Sequence, residues 1–467
     1  MLSYRVIYQC LILSKFFNSS CSMLRVTCCL IFYCICIDTM TILLVGCTGF
    51  LGEALLYQLL TQTKHNIILV IRSKNNKSVE ERIKGMLGSV RLKHRKYQKR
   101  IKSVQVSYDD DRNIVMSNAD NDYIINNTTV LVNALADVHM NRELRKATLN
   151  NTVTALSWMK KFQQCTKSSL YIYISTAYVN FHRIQVGDIP EQILEKNMSH
   201  TTLSNILYNR QTNYGSYSNT YVYSKQLAEV LLRDSIVDKR LVILRPSIII
   251  PAFNLPYPGW GKLQTISYVL GLGIGTGILP LSRYDNQHSL NTVPVDIVAE
   301  DCMMVIDKDK EAKPFEIRHC CLTRNMKGWT HALSIERIAQ RAYEYFQLNP
   351  LVINDKVMIP HKLAIKRGWF HLLTTIIVQI IGTIFHWWEW SDGVGDMFVM
   401  LYRTISMTYK FDRNLAKFSH KTLVFKRSPK HNDITYPDTS FEDCYHEFVK
   451  NLQSVISSDL AIIKQFS

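Results

Sequence analysis

The chain has 467 residues, with 55 Lys+Arg against 38 Asp+Glu, a net charge of +17. At 47% hydrophobic and 20% charged residues it can build a large core, which excludes wholesale disorder, and its mean hydropathy near zero excludes a polytopic membrane protein. Half of the twelve cysteines crowd into the first 36 residues and the rest follow no metal-type spacing, so we expect neither a disulfide framework nor a metal site.

The first residues stand apart in texture. Up to residue 39 the charges are only Arg5, Lys15, Arg25 and Asp38, and the uncharged run Val26–Ile37 is too short for a bilayer, which needs about 20 residues. We expect residues 1–39 to be either an apolar anchor or an extension preceding a start at Met40.

From Met40 strand and helix patterns alternate. Strand-like runs fall at Thr41–Val45, Ile67–Ile71, Val104–Ser107, Thr129–Asn133, Leu170–Ser175 and Leu241–Ile250. Helix-period stretches such as Glu53–Thr63 and Arg145–Gln164 lie between them. This order predicts an α/β fold, a Rossmann-type doubly wound parallel sheet. We expect this α/β domain to span 40–335 and a mainly helical C-terminal domain to span 336–467.

The first strand runs into Gly46-Cys-Thr48-Gly49-Phe50-Leu51-Gly52 and then a helix. Glycines at that spacing permit a tight turn and a close approach of pyrophosphate to backbone N–H groups at a helix N-terminus. The second strand ends in Arg72 and, two residues on, Lys74, where an NAD site would carry an acid. Two cations there suit a 2′-phosphate and favour NADPH.

Two further signals concern chemistry. Tyr221 is the only one of the 24 tyrosines with a lysine, Lys225, four residues on, so the two share a helix face. An ammonium there can lower the phenol pKa and clamp a ribose while the phenol gives a proton to a reduced carbonyl. Ser175 and Thr176 close the fifth strand, at the sheet edge where ligands bind in open α/β folds, and either hydroxyl could meet a carbonyl oxygen.

The basic segment Arg91–Lys102, seven cations and no acid, reads as a solvated helix, or as a surface for the phosphates of an acidic ligand or for anionic lipid. No nucleic-acid fold accompanies it. Gly368–Trp388 is 21 residues without Asp, Glu, Lys or Arg, with basic and tryptophan flanks, and reads as a membrane-associated helix, whether spanning or interfacial, or else as a buried core helix.

Together, the glycine loop, Ser175-Thr-Ala-Tyr-Val-Asn180, Tyr221/Lys225, Arg245-Pro-Ser-Ile248, Pro256-Tyr-Pro-Gly-Trp260 and Val293-Pro-Val-Asp296 resemble the alcohol-forming fatty acyl-CoA reductases, above all the insect-type members. These are extended short-chain dehydrogenases/reductases. The resemblance is good over roughly 41–300 and weaker from about 360. It implies reduction of a long-chain fatty acyl-CoA to a primary alcohol with two NADPH and release of CoA, on an intracellular membrane (endoplasmic reticulum or peroxisome) with the catalytic domain facing the cytosol. It implies Tyr221 as proton donor, Lys225 as activator and ribose clamp, Thr176 or Ser175 as carbonyl partner, and Asn150 as the helix asparagine that supports the lysine through water. Gly46, Thr48, Gly49, Phe50, Leu51, Gly52, Arg72, Lys74, Lys225 and Pro246 would contact the cofactor. The chain departs from the family at Ser107–Asp111, at Asn133–Asp137, where bulk and negative charge are expected to weaken cofactor binding, and at Val153-Thr154. An extended reductase for a sterol, aldehyde or sugar-nucleotide carbonyl, and a catalytically weakened NADPH- or lipid-binding membrane protein, are the alternatives.

Overall fold

A computed structural model describes residues 39–72, 78–140, 142–183, 187–262, 292–307, 313–320, 335–353, 356–358 and 423–425. Residues 1–38 of the N-terminal extension expected over 1–39, Lys74 and the apolar segment 368–388 lie outside them. Among the described residues no helix is long and apolar enough to cross a membrane.

The chain opens with β1 (Thr41–Val45), α1 (Phe50–Gln62), β2 (Asn66–Arg72) and α2 (Val79–Ser89). A single-turn α3 (His94–Tyr97) leads into β3 (Ile101–Tyr108), β4 (Ile114–Val115), α4 (Asn118–Asn127) and β5 (Val130–Asn133). Next come α5 (Leu144–Thr148), a π-helical turn (Leu149–Val153), α6 (Thr154–Gln164), β6 (Leu170–Ile174), β7 (Gly187–Ile189) and α7 (His200–Leu207). Then follow α8 (Thr220–Ser235), β8 (Arg240–Pro246), β9 (Ile248–Ile250), β10 (Thr292–Pro294), α9 (Val295–Asp307) and β11 (Phe315–Cys320). Beyond these, the described part of the expected helical domain holds α10 (Ile335–Leu348) and the short strands Leu351–Ile353, Lys356–Met358 and Leu423–Phe425.

The main sheet runs β11-β8-β6-β5-β1-β2-β3-β4, parallel except for β3–β4. The doubly wound parallel sheet expected from the alternation is thus present. Strand order reverses between β1, which pairs with β2 on one side, and β5 on the other. In such sheets the crevice above that switch point is where ligands bind.

Side-chain alternation along the strands feeds two cores. Ile42, Leu44, Ile67, Leu69, Val130 and Ile172 pack with α1, α2 and α9 on one face. Leu43, Val45, Ile68, Val70, Leu131 and Tyr171 pack with α6 and α8 on the other. Burial on both faces explains why these strands read as continuous apolar runs.

Three sequence expectations need correction. The run Leu241–Ile250 is not one strand: it breaks at Pro246–Ser247, and β9 leaves the main sheet to pair with β10. Proline has no N–H for a ladder, and beyond it the Ser247 N–H donates to the Cys320 carbonyl. The helix expected over 145–164 is interrupted by the π-turn at Leu149–Val153.

The basic segment is not a solvated helix either. Only His94–Tyr97 is α-helical, and Ile101–Lys102 already belong to β3. Arg100 donates to the carbonyls of Leu59, Leu60 and His65 at 2.8–2.9 Å, satisfying orphan acceptors at the C-terminus of α1. Arg91 lies over the ring of Tyr257, 3.7 Å from its centroid. Part of the positive charge is therefore structural.

Candidate active site

The site begins with the turn between β1 and α1. Gly46 adopts φ +85°, and a Cβ there would lie 2.6 Å from Leu135 N, so the turn needs glycine for both conformation and space. A Cβ on Gly52 would fall 2.1 Å from the Gly46 carbonyl, inside the contact between helix and strand. Gly49 forms the N-cap of α1 without a side-chain cap, which leaves that helix end to backbone N–H groups. A cradle that any added side-chain atom would fill, at a helix N-terminus, fits a dinucleotide's pyrophosphate. Thr48 and Phe50 are half-buried in this turn and Leu51 is buried behind it.

Cys47 donates from Sγ to the Val70 carbonyl at 3.3 Å, joining the turn to β2. Burial pushes its thiol up to about 12, with the nearby Arg82 guanidinium opposing, so it is a packing group rather than a nucleophile. Arg72 ends β2 exposed at the edge of the sheet, and its carbonyl accepts from Arg82. Arg82 sits in α2, behind a capping box of Ser78 and Glu81.

The other half is built on α8. Asn219 caps it, accepting from the Val222 N–H at 2.9 Å, and Thr220 Oγ1 donates to the Arg142 carbonyl at 2.8 Å. Lys225 is buried, donates to the Ile174 carbonyl at the end of β6 (2.7 Å), and lies 4.6 Å from the centre of the Tyr173 ring. Burial lowers its ammonium to about 7, opposed by the Glu229 carboxylate one turn on. Burial also pushes the Tyr221 phenol up, and the lowering expected from Lys225 is not among the influences on it. At the β6 end Ser175 and Thr176 are both buried. Thr176 Oγ1 accepts from the Tyr178 N–H at 3.4 Å, whereas Ser175 Oγ has no hydrogen-bond partner among the described residues. Lys225, Ser175 and Thr176 are thus brought together at the β6 end, with Tyr221 one turn before Lys225 on α8. Pro246 is buried at the end of the neighbouring β8.

Several residues that the sequence reading missed hold this half in place. In the π-turn, Asn151 donates to Ser224 Oγ (2.9 Å) and to the Asp137 carbonyl (3.1 Å), while the Asp137 N–H donates to Asn151 Oδ1 (2.8 Å). Ser224 donates to the Tyr221 carbonyl at 2.8 Å, so the loop after β5, the π-turn and α8 form one network. Glu229 and Arg245, neither exposed to solvent, form a two-point ion pair at 3.0 and 2.6 Å that ties α8 to β8. The spacing of Glu229 four residues after Lys225 was readable; its partner, 16 residues on in another element, was not.

Asn150 itself faces Asp137 and donates to its Oδ2 at 2.7 Å. The negative charge expected at Asp137 is present, and it is partnered. Burial alone would raise its carboxyl, but Asn150, His139 (2.6 Å) and the Arg142 guanidinium hold it below the usual range as a partnered anion. The acidic triplet Asp109–Asp111 sits in the exposed β3–β4 hairpin, where Asp109 accepts from Asn113.

Residues 44–302, more than half of the chain, match the family model described as male sterility protein, an NAD-binding domain. The chain is similar to fatty acyl-CoA reductase 1 of Mus musculus, 28% identical over 326 residues that cover 66% of this chain and 62% of that protein. The Homo sapiens counterpart is 29% identical over the same shares. A putative fatty acyl-CoA reductase of Drosophila melanogaster is 24% identical over 73% of this chain and 69% of its own. The match thus spans a little under two thirds of the mammalian relatives' length. Among solved structures, the terminal R domain of the myxalamid PKS-NRPS pathway shares the fold with a TM-score of 0.59 at 16% identity, covering 89% of this chain and 90% of that one. The reductase domain of a nonribosomal peptide synthetase from Mycobacterium tuberculosis gives 0.58 at 17%, covering 90% and 92%.

Proposed function

The chain belongs to the male sterility protein family of NAD-binding domains, and on that premise we propose that it is an NADPH-dependent, alcohol-forming fatty acyl-CoA reductase. The observation that carries the reading is the pairing of a side-chain-free pyrophosphate cradle at Gly46–Gly52 with Lys225 docked on the end of β6 beside Ser175 and Thr176. The relatives named for this reaction support it.

A bound reduced nicotinamide supplies the hydride. The chain's own residues do the rest. Ser175 Oγ, buried and without a partner among the described residues, donates to the carbonyl oxygen of the acyl group, with Thr176 beside it. Tyr221 gives its phenolic proton to the oxygen of the reduced aldehyde. Lys225 orients the ribose hydroxyls. Asn150, fixed by Asp137, positions this end of the site. Arg72, with Lys74, selects the 2′-phosphate of NADPH over NADH. Membrane contact through residues 368–388, with the catalytic domain facing the cytosol, belongs to the same proposal.

Purified full-length protein, given NADPH and a long-chain acyl-CoA in detergent, is expected to yield fatty alcohol and free CoA with two NADPH consumed per alcohol. Product analysis by gas chromatography decides this. A chain that reduces sterol or aldehyde substrates but no acyl-CoA would replace the reading with that of another extended reductase.

A further inference from the structure

The segment Ala252–Lys262 reaches across the molecule to the glycine turn. Its shape is fixed locally. The Ala252 N–H donates to the Trp260 carbonyl (2.8 Å) and the Ala252 carbonyl accepts from the Gly259 N–H (2.9 Å), while both Asp296 carboxylate oxygens accept N–H groups of Phe253, Asn254 and Leu255 at 2.7–3.0 Å. The Trp260 ring packs 5.2 Å from Phe50, and its Nε1 donates to the Ser89 carbonyl at 3.1 Å. Lys262 then delivers its ammonium to the Thr48 carbonyl (2.9 Å) and to Glu53 Oε1 (2.5 Å), while Ser89 donates to Glu53 Oε2 at 2.6 Å.

Glu53 is an unusual neighbour for a phosphate site. It lies in the first turn of α1, the helix whose N-terminus faces the cradle, and it is buried. A carboxylate there competes with a bound anion for the same positive helix end, and burial denies it the screening that water gives an exposed charge. Lys262 is the cation that the fold sets on it.

We propose that Lys262 is a positioning residue for the dinucleotide's pyrophosphate: its ammonium neutralises Glu53 at the head of α1 and fixes the glycine turn by the Thr48 carbonyl. This rests on reading that turn as a dinucleotide site. Glycine spacing alone does not make the helix end receptive to an anion; a lysine more than 200 residues away completes it.

The test is an equilibrium titration of the full-length protein with NADPH, followed by its fluorescence with no acyl-CoA present. K262M is expected to raise the Kd roughly tenfold, about one helix-end charge interaction. E53Q binds at least as tightly as wild type, and E53Q/K262M returns to within about threefold of it. K262R, which keeps the charge, also stays within about threefold and serves if K262M fails to melt cooperatively. An unchanged Kd in K262M, a tenfold loss in E53Q or K262R, or a double variant as weak as K262M overturns the inference. A wild-type protein that binds no NADPH overturns the dinucleotide reading itself.

Discussion

The two halves of the site are made rigid by opposite means. Around Gly46 and Gly52 backbone meets backbone, with room for no extra atom. Around Lys225 the order comes from buried polar side chains: the ammonium on the Ile174 carbonyl, Asn151 on Ser224, and Glu229 on Arg245. The first half should be intolerant of added volume, with its one ion pair, Lys262 on Glu53, set beside the turn. The second should tolerate changes of shape and fail when a charged partner is removed.

The largest expected effect breaks the charged half. Glu229→Gln leaves Arg245 buried without its counter-ion and should cost about 3–5 kcal/mol, read as a fall in denaturation midpoint. Replacing both, E229M/R245M, should restore most of that loss, because an apolar pair of similar size needs no counter-ion. A double variant no more stable than E229Q would show that shape, and not charge, holds this half.

Next comes the glycine half. Gly52→Ala drives a Cβ into the Gly46 carbonyl and should cost roughly 3 kcal/mol and abolish NADPH binding, measured by melting and titration. Retained cofactor affinity would mean that helix and strand can part without harm.

A smaller effect is pH-dependent. Lys225 is lowered from 10.5 to about 7 by burial, so its charged form is disfavoured in the folded state. Below pH 7 both states hold the proton and the penalty is constant. Between about 7 and 10.5 the unfolded chain binds more protons, so this group makes stability rise with pH. Cys47, raised to about 12, acts in the opposite sense only above its ordinary value of 9. Melting at pH 7 and pH 9 should therefore show an increment in wild type that K225M lacks.

The smallest effect is a contrast within the glycines. Gly85 lies in α2 with nothing within 4 Å of an added Cβ. Gly85→Ala should stabilise by about 0.5–1 kcal/mol through helix propensity. Destabilisation there would mean that α2 depends on more than its own helical turn.

The same contrast explains what could be read from the sequence. The limits of β1 were legible, since a buried parallel strand is a short apolar run ended by a turn. The glycine loop was legible because its constraint is local, and Tyr221/Lys225 because four residues is one helical turn. The break at Pro246, the π-turn beside Asn150 and the partnering of Asp137 were not. Each depends on which elements the sheet order makes neighbours. Asn151 meets Ser224, and Lys262 meets Thr48, across separations that no local pattern encodes. The Arg91–Lys102 charges misled for the same reason: Arg100 serves the carbonyl end of α1, which lies about forty residues upstream in sequence.

The most direct test of the account compares wild type with Tyr221→Phe, measuring NADPH affinity and fatty alcohol formed from long-chain acyl-CoA in the same preparations. The account predicts that Y221F keeps its NADPH affinity while alcohol formation falls by roughly 10²–10⁴. Alcohol formed by Y221F at the wild-type rate, or a wild-type protein that binds NADPH yet makes neither aldehyde nor alcohol from any acyl-CoA length, would contradict it.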